Sequence, residues 1–138
     1  MKGIVLLSHG SLARGLADAA TFFMGDSIEQ LEYCCLRQDS SPDEFAEELK
    51  RAIEKVDTGE GAVILADLFG GTPCNQAARL LDDRTDLISG MNFPVLLELL
   101  TARMTGEIDV AALVESARSG ISDVKVILNA QAYDETEE

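Results

Sequence analysis

The segment Ala62-Val63-Ile64-Leu65-Ala66 is an unbroken apolar run between Gly61 and Asp67, and no other stretch restricts the fold as much. A strand without alternation is buried on both faces, as the strands of a parallel sheet are. It is followed by Asp67-Leu68-Phe69-Gly70-Gly71-Thr72-Pro73 and then by Cys74 to Leu81, which reads as a helix. The junction is therefore a strand-to-helix turn with a carboxylate at the strand's end. Gly70 and Gly71 are free to take positive φ. Thr72 is expected as the helix N-cap, with Pro73 at the first helical position. A helix start of this kind, with a hydroxyl beside its N–H groups, suits an anion.

The rest of the chain repeats the theme. Gly3 to Ser8 is a second short apolar strand, ending at Ser8-His9-Gly10-Ser11. Ser11 is expected to cap a helix from Leu12 to about Met24, with Leu12, Leu16, Ala19, Ala20 and Phe23 on one side and Gly25 ending it. Ile28 to Leu36 reads as a second strand. Ser41-Pro42-Asp43-Glu44 is a capping box, opening a helix to about Val56 that turns Phe45, Leu49, Ala52, Ile53 and Val56 inward. Asp57 to Gly61 is a turn. Asp86 to Gly90 reads as a fourth strand, and Met91-Asn92-Phe93-Pro94 leads into a helix to about Met104. Asp109 is expected to cap a last helix, stopped by Gly120. Val124 to Leu128 is expected as a final short strand, and Asn129 to Glu138 as a frayed acidic tail. This alternation gives an α/β fold: a parallel central sheet of four strands, helices on both faces, and right-handed crossovers. Ligands in such sheets sit beyond the carboxyl ends of the strands.

Charge narrows the partners. Lys and Arg number 11 against 25 Asp and Glu, a net charge of −14. That argues against nucleic acid and anionic lipid. It fits a basic protein partner and equally fits plain solubility. The three cysteines make no C-x-x-C spacing, so neither zinc nor a disulfide framework is expected. The apolar run at the N-terminus is too short for a signal peptide or a membrane span, and a cytoplasmic location is expected.

The chemistry converges on His9, the only histidine. Imidazole offers one nitrogen as donor and the other as nucleophile. A carboxylate that accepts the N–H selects the tautomer and leaves the second nitrogen free to attack. Asp67 is placed for this, although capping a nearby turn is the plainer role for it. Gly70, Gly71 and Thr72 are the candidate phosphate cradle. Asn92, Met24 and Phe69 are candidates for the site's rim; Asn92 fits a turn role equally well, and Met24 fits simple packing. The chain contains no G-x-x-x-x-G-K-[ST], no G-x-G-x-x-G and no G-x-S-x-G. No metal and no cofactor are expected. A nucleophilic histidine, an orienting carboxylate and an anion cradle together suit a phosphohistidine.

These motifs resemble the IIA component of the mannose family of the bacterial sugar phosphotransferase system. The likeness rests on Ser8-His9-Gly10, Asp67 to Pro73 and Gly90-Met91-Asn92-Phe93-Pro94, each at a strand's end, and runs from residue 1 to about 128. It implies one domain over 1–128, followed by the acidic tail at 129–138. It implies that His9 takes a phosphoryl group from the histidine phosphocarrier protein and passes it to a IIB component, which serves sugar arriving through membrane IIC and IID components. Asp67 matches the family's orienting carboxylate, and Thr72 its hydroxyl near the phosphoryl group. The resemblance also implies a homodimer whose last strand, here Val124 to Leu128, crosses to the partner's sheet and pairs antiparallel. With the chain ending at 138, IIB is expected on a separate chain. A free-standing, phosphorylation-switched regulatory protein is the alternative, and a hydrolase or isomerase using the His9–Asp67 pair comes third.

Overall fold

The computed structural model describes residues 1–137, with side-chain surroundings given through residue 133. Along the chain run β1 (Gly3–His9), α1 (Leu12–Met24), β2 (Leu31–Leu36), α2 (Pro42–Val56), β3 (Ala62–Ala66), α3 (Thr72–Ala78), β4 (Thr85–Ile88), α4 (Phe93–Thr105), α5 (Val110–Arg118) and α6 (Val124–Glu137). The strands form one parallel sheet in the order β2-β1-β3-β4.

The two apolar runs are the central strands. Ile4, Val5, Leu6 and Leu7 are completely buried, as is every residue of β3. Alternation divides their side chains between two layers. Ile4, Leu6, Val63 and Leu65 pack with Ala13 and Ala20 of α1, with Val95, Leu96, Leu99 and Leu100 of α4, and with Leu113 of α5. Val5, Leu7, Ile64 and Ala66 pack with Phe45, Leu49 and Val56 of α2 and with Cys74 and Ala77 of α3. Three helix starts are capped by short polar side chains. Ser41 accepts from the Glu44 N–H, Asn92 from Val95 and Asp109 from Ala112, each the N-cap of its helix.

The structure corrects four readings. β2 starts at Leu31, not Ile28, because Gln30 takes a positive φ of 52° and spends its side-chain amide on the carbonyls of Met1 and Val56. Ser11 makes no side-chain cap. Instead the Ala13 N–H donates to Ser8 Oγ at 2.7 Å, which draws Ala13 inward. The buried face of α1 is accordingly Ala13, Leu16, Ala17, Ala20 and Met24, while Leu12 and Phe23 are exposed. At the third helix, Gly71 is the N-cap and Thr72 the first helical residue, and the helix stops at Ala78.

The fourth correction is at the C-terminus. Val124 to Leu128 is not an antiparallel strand but the start of α6, which continues through the stretch expected as a tail. Asp123 Oδ1 accepts the Val126 N–H as an N-cap does, and the Ile127 N–H donates to the Asp123 carbonyl. Within one chain no strand of the sheet takes this segment as a neighbour. Helical hydrogen bonds then satisfy its backbone locally.

One polar clasp fixes the entry to β3. Asp57 Oδ1 accepts from the N–H groups of Gly59 and Gly61, and Arg84 reaches both carboxylate oxygens at 2.9 Å. The two backbone bonds first, and Arg84 after them, hold the Asp57 carboxyl below its ordinary 3.8. A folded-state value lowered in this way contributes stability that is present above 3.8 and disappears as pH falls through the lowered value. Asp57→Asn should therefore lose less stability than wild type between pH 3.8 and the acid extreme, read from denaturant midpoints across that range.

Candidate active site

His9 is the last residue of β1, and Asp67 is the first residue after β3. The register pairs Leu7 with Ala66, and the Asp67 N–H donates to the Leu7 carbonyl. β1 and β3 are the neighbours between which the direction of strand addition reverses, the place where open parallel sheets gather ligands. Topology therefore brings together two residues 58 positions apart.

Asp67 Oδ2 accepts the His9 backbone N–H at 2.9 Å and faces His9 Nδ1, also at 2.9 Å. A carboxylate only accepts, so the proton of neutral His9 sits on Nδ1 and the lone pair is left on Nε2. The Asp67 side chain is 11% exposed and the His9 side chain 47%. The carboxylate is thus sheltered while the imidazole stays open to a reactant. Asp67 Oδ1 is buried and has no hydrogen-bond partner among the described residues.

The glycines divide their work. Gly70 takes φ 85°, which strains any other residue. Gly71 has an ordinary φ of −80°, against the expectation for it, and is needed for a different reason. A Cβ there would lie 2.7 Å from His9 Cε1 and 3.2 Å from Nε2. The Asn75 side chain donates to the Gly70 carbonyl at 3.1 Å and holds the loop, a contribution that the sequence did not single out. No side chain caps α3, and Thr72 is half-buried at its first position.

Of the rim candidates, Phe69 is 84% exposed on the Asp67 loop. Asn92 stands where the Met91 N–H donates to the Ala66 carbonyl, beside the end of β3, but its Oδ1 is used as the cap of α4. Met24 is not brought to the site. It lines a cavity with Met1, Leu100 and Arg103 at the opposite end of β1 from His9. Ser8, read only as part of a motif, turns out to tie the His9 turn to α1. Its signal was a small hydroxyl residue at the end of an otherwise apolar strand.

This site lies on a fold shared with solved IIA proteins of the sugar phosphotransferase system. The PTS IIA protein associated with the fucose utilization operon of Streptococcus pneumoniae superposes with a TM-score of 0.84 at 30% identity, over 92% of this chain and 96% of that one. Phosphotransferase system component EIIA from Streptococcus agalactiae gives a TM-score of 0.81 at 24% identity, over 91% and 99%. The chain belongs to the EIIA-man family, PTS system fructose IIA component, whose profile matches residues 3–117. It is 33% identical over 118 residues to the fructose-specific EIIA component of Bacillus subtilis, covering 75% of this chain and 71% of that protein. It is 31% identical over 127 residues to the mannose-specific EIIAB component of Escherichia coli K12, covering 88% of this chain but only 39% of that longer protein. No helix among the described residues is long and apolar enough to cross a membrane.

A single histidine makes the tautomer directly measurable. In ¹⁵N-labelled wild type near pH 8, the ring signals should report Nδ1–H with an unprotonated Nε2. Asp67→Asn should move them toward a mixture of tautomers, since an amide that flips can offer N–H as readily as oxygen.

Proposed function

We propose that this chain is a phosphocarrier of the sugar phosphotransferase system, accepting a phosphoryl group on His9 from the phosphorylated histidine carrier protein and passing it to a IIB component. The observation that supports it is the 2.9 Å approach of Asp67 Oδ2 to Nδ1 of the only histidine, which leaves Nε2 as the nucleophile. Nε2 attacks phosphorus, and the Nε2–P bond forms as the donor's N–P bond breaks. The electron pair of that bond returns to the donor imidazole. In the next transfer the nucleophile of IIB attacks the same phosphorus and Nε2 leaves. The Nδ1–H···Oδ2 bond persists through both steps, so the ring does not have to turn.

The backbone N–H groups of Gly70, Gly71 and Thr72 are suited to the phosphoryl oxygens, with the Thr72 hydroxyl beside them. Catalysis of this kind is mainly positioning and charge stabilisation. Both partners are proteins, and exposed Leu12, Leu68 and Phe69 around His9 give them apolar contacts. The acidic surface favours a basic donor. Membrane IIC and IID components act one step further on, and the sugar touches them rather than this chain. A homodimer is the assembly we assign, with exposed Val124, Val126, Ile127 and Leu128 of α6 as the surface that a second copy covers. The setting of this chemistry is the cytoplasm.

His9→Ala should abolish labelling by the phosphorylated carrier and retain a wild-type fold. Undiminished labelling of that variant ends the assignment. Asp67→Asn should slow transfer more than it weakens partner binding, because the ring becomes positively charged when Nε2 is phosphorylated with Nδ1–H in place, and an amide offsets that charge less well than the Oδ2 carboxylate. Mixing phosphorylated protein with IIB separates a relay from a regulatory switch: onward transfer supports the relay, and a stable phosphorylated dead end supports the switch. On assembly, light scattering should give twice the monomer mass at micromolar concentration, and truncation after Asp123 should lower it to monomer.

A further inference from the structure

Asp67 touches His9 at one ring nitrogen and at the backbone N–H. Oδ2 holds one edge of the ring, and neither the turn that follows nor the far edge of the ring is reached by it. Two residues reach these places.

Ser8 precedes His9 and points to the other face of β1, where it is completely buried. Its hydroxyl donates to the Gly10 carbonyl at 2.9 Å and accepts the Ala13 N–H at 2.7 Å. Ser8 therefore spans His9, tying the residue after it to the first turn of α1. Gly10, at φ 58°, is the bend of that turn, and its N–H donates to the Leu36 carbonyl at 2.8 Å. Without the hydroxyl, a buried N–H loses its partner and the bend loses a bond.

On the ring side stands Gly71. Its φ of −80° is open to any residue, so the backbone does not call for glycine. The imidazole does: the space where a Cβ would stand is already occupied to within 2.7 Å by Cε1. A methyl group there would have to be relieved by moving the ring, and the ring moves by leaving Oδ2.

We propose that Ser8 and Gly71 are positioning residues for His9: Ser8 fixes the turn that carries it, and Gly71 leaves the room in which its imidazole stands on Asp67. The proposal deepens the phosphocarrier reading and rests on it only for the rate of transfer.

The test uses Ser8→Ala, Ser8→Thr, Gly71→Ala, His9→Ala and the double variant His9→Ala/Gly71→Ala. Thermal melting is measured on each, and ring ¹⁵N signals and labelling by phosphoramidate on the variants that keep His9. In the labelling reaction Nε2 attacks phosphorus, the P–N bond of the N-protonated reagent breaks, and ammonia leaves with the bond pair. Ser8→Ala and Gly71→Ala should shift the ring signals toward mixed tautomers and slow labelling roughly 10- to 100-fold, the scale of a misplaced reacting atom. Ser8→Thr, which keeps the hydroxyl, should keep both wild-type properties. Gly71→Ala should lower the melting temperature more when His9 is present than in the His9→Ala background, because the collision is with the ring.

Wild-type ring signals in Ser8→Ala would overturn the role of Ser8. An equal melting cost of Gly71→Ala with and without His9 would overturn that of Gly71. If Ser8→Ala fails to fold, Ser8→Thr decides: altered ring signals there remove the hydroxyl from the account. Wild-type protein that takes no phosphoryl group from reagent or carrier would end the phosphocarrier reading, while the ring signals and melting still decide the positioning.

Discussion

One carboxylate oxygen, Asp67 Oδ2, accepts two donors from a single residue, the backbone N–H and the ring Nδ1–H of His9. The site depends on that oxygen being where it is. Its place follows from the parallel register of β1 on β3, with Leu7 opposite Ala66. The register in turn follows from packing. A slip of one residue would send Ile4 and Leu6 to the layer now filled by Val5 and Leu7, and every buried side chain of both strands would face the wrong helices. The His9–Asp67 pair is therefore held in place by aliphatic burial.

That scaffold tolerates unfavourable detail at its edge. Asp67 Oδ1 is buried without a partner among the described residues, a cost on the order of 1–3 kcal/mol. Gly70 holds a positive φ, and an N-cap that elsewhere in this chain is Ser, Asn or Asp is here a glycine that caps nothing with a side chain. Burying each of Ile4, Val5, Leu6 and Leu7 stabilises by roughly 1.5–3 kcal/mol, enough to offset such a site.

The opposite end of the sheet is built by another logic. Arg103 is 6% exposed and donates to the carbonyls of Lys2, Glu29 and Gln30. Burial lowers its pKa from the ordinary guanidinium value, with Glu29 working the other way. The N-terminal amine pairs with Glu60, and the Gln30 amide bonds Met1 and Val56. Most polar groups there close on one another and tie down the starts of β1 and β2, with Arg103 Nε left buried without a partner among the described residues. At the His9 end an imidazole edge stays open.

Local signals determined much of this in advance. The two apolar runs named the central strands, Ser41, Asn92 and Asp109 stand at helix starts where short polar side chains belong, and the His9 and Asp67 motifs each sat at a strand's end. These are readable because propensity, capping and burial pattern act within a few residues. What the tertiary structure alone decided depends on distance. Ser11 looks like a cap, but Ser8 reaches Ala13 across the turn and rotates the buried face of α1 by one residue. Gly71 looks like a turn glycine, but the ring of His9, brought from the neighbouring strand, is what leaves no room for a Cβ. Val124 to Leu128 looks like a strand, yet a strand needs a neighbour to receive its hydrogen bonds. Without one in this chain, the backbone bonds to itself and Asp123 caps it as a helix.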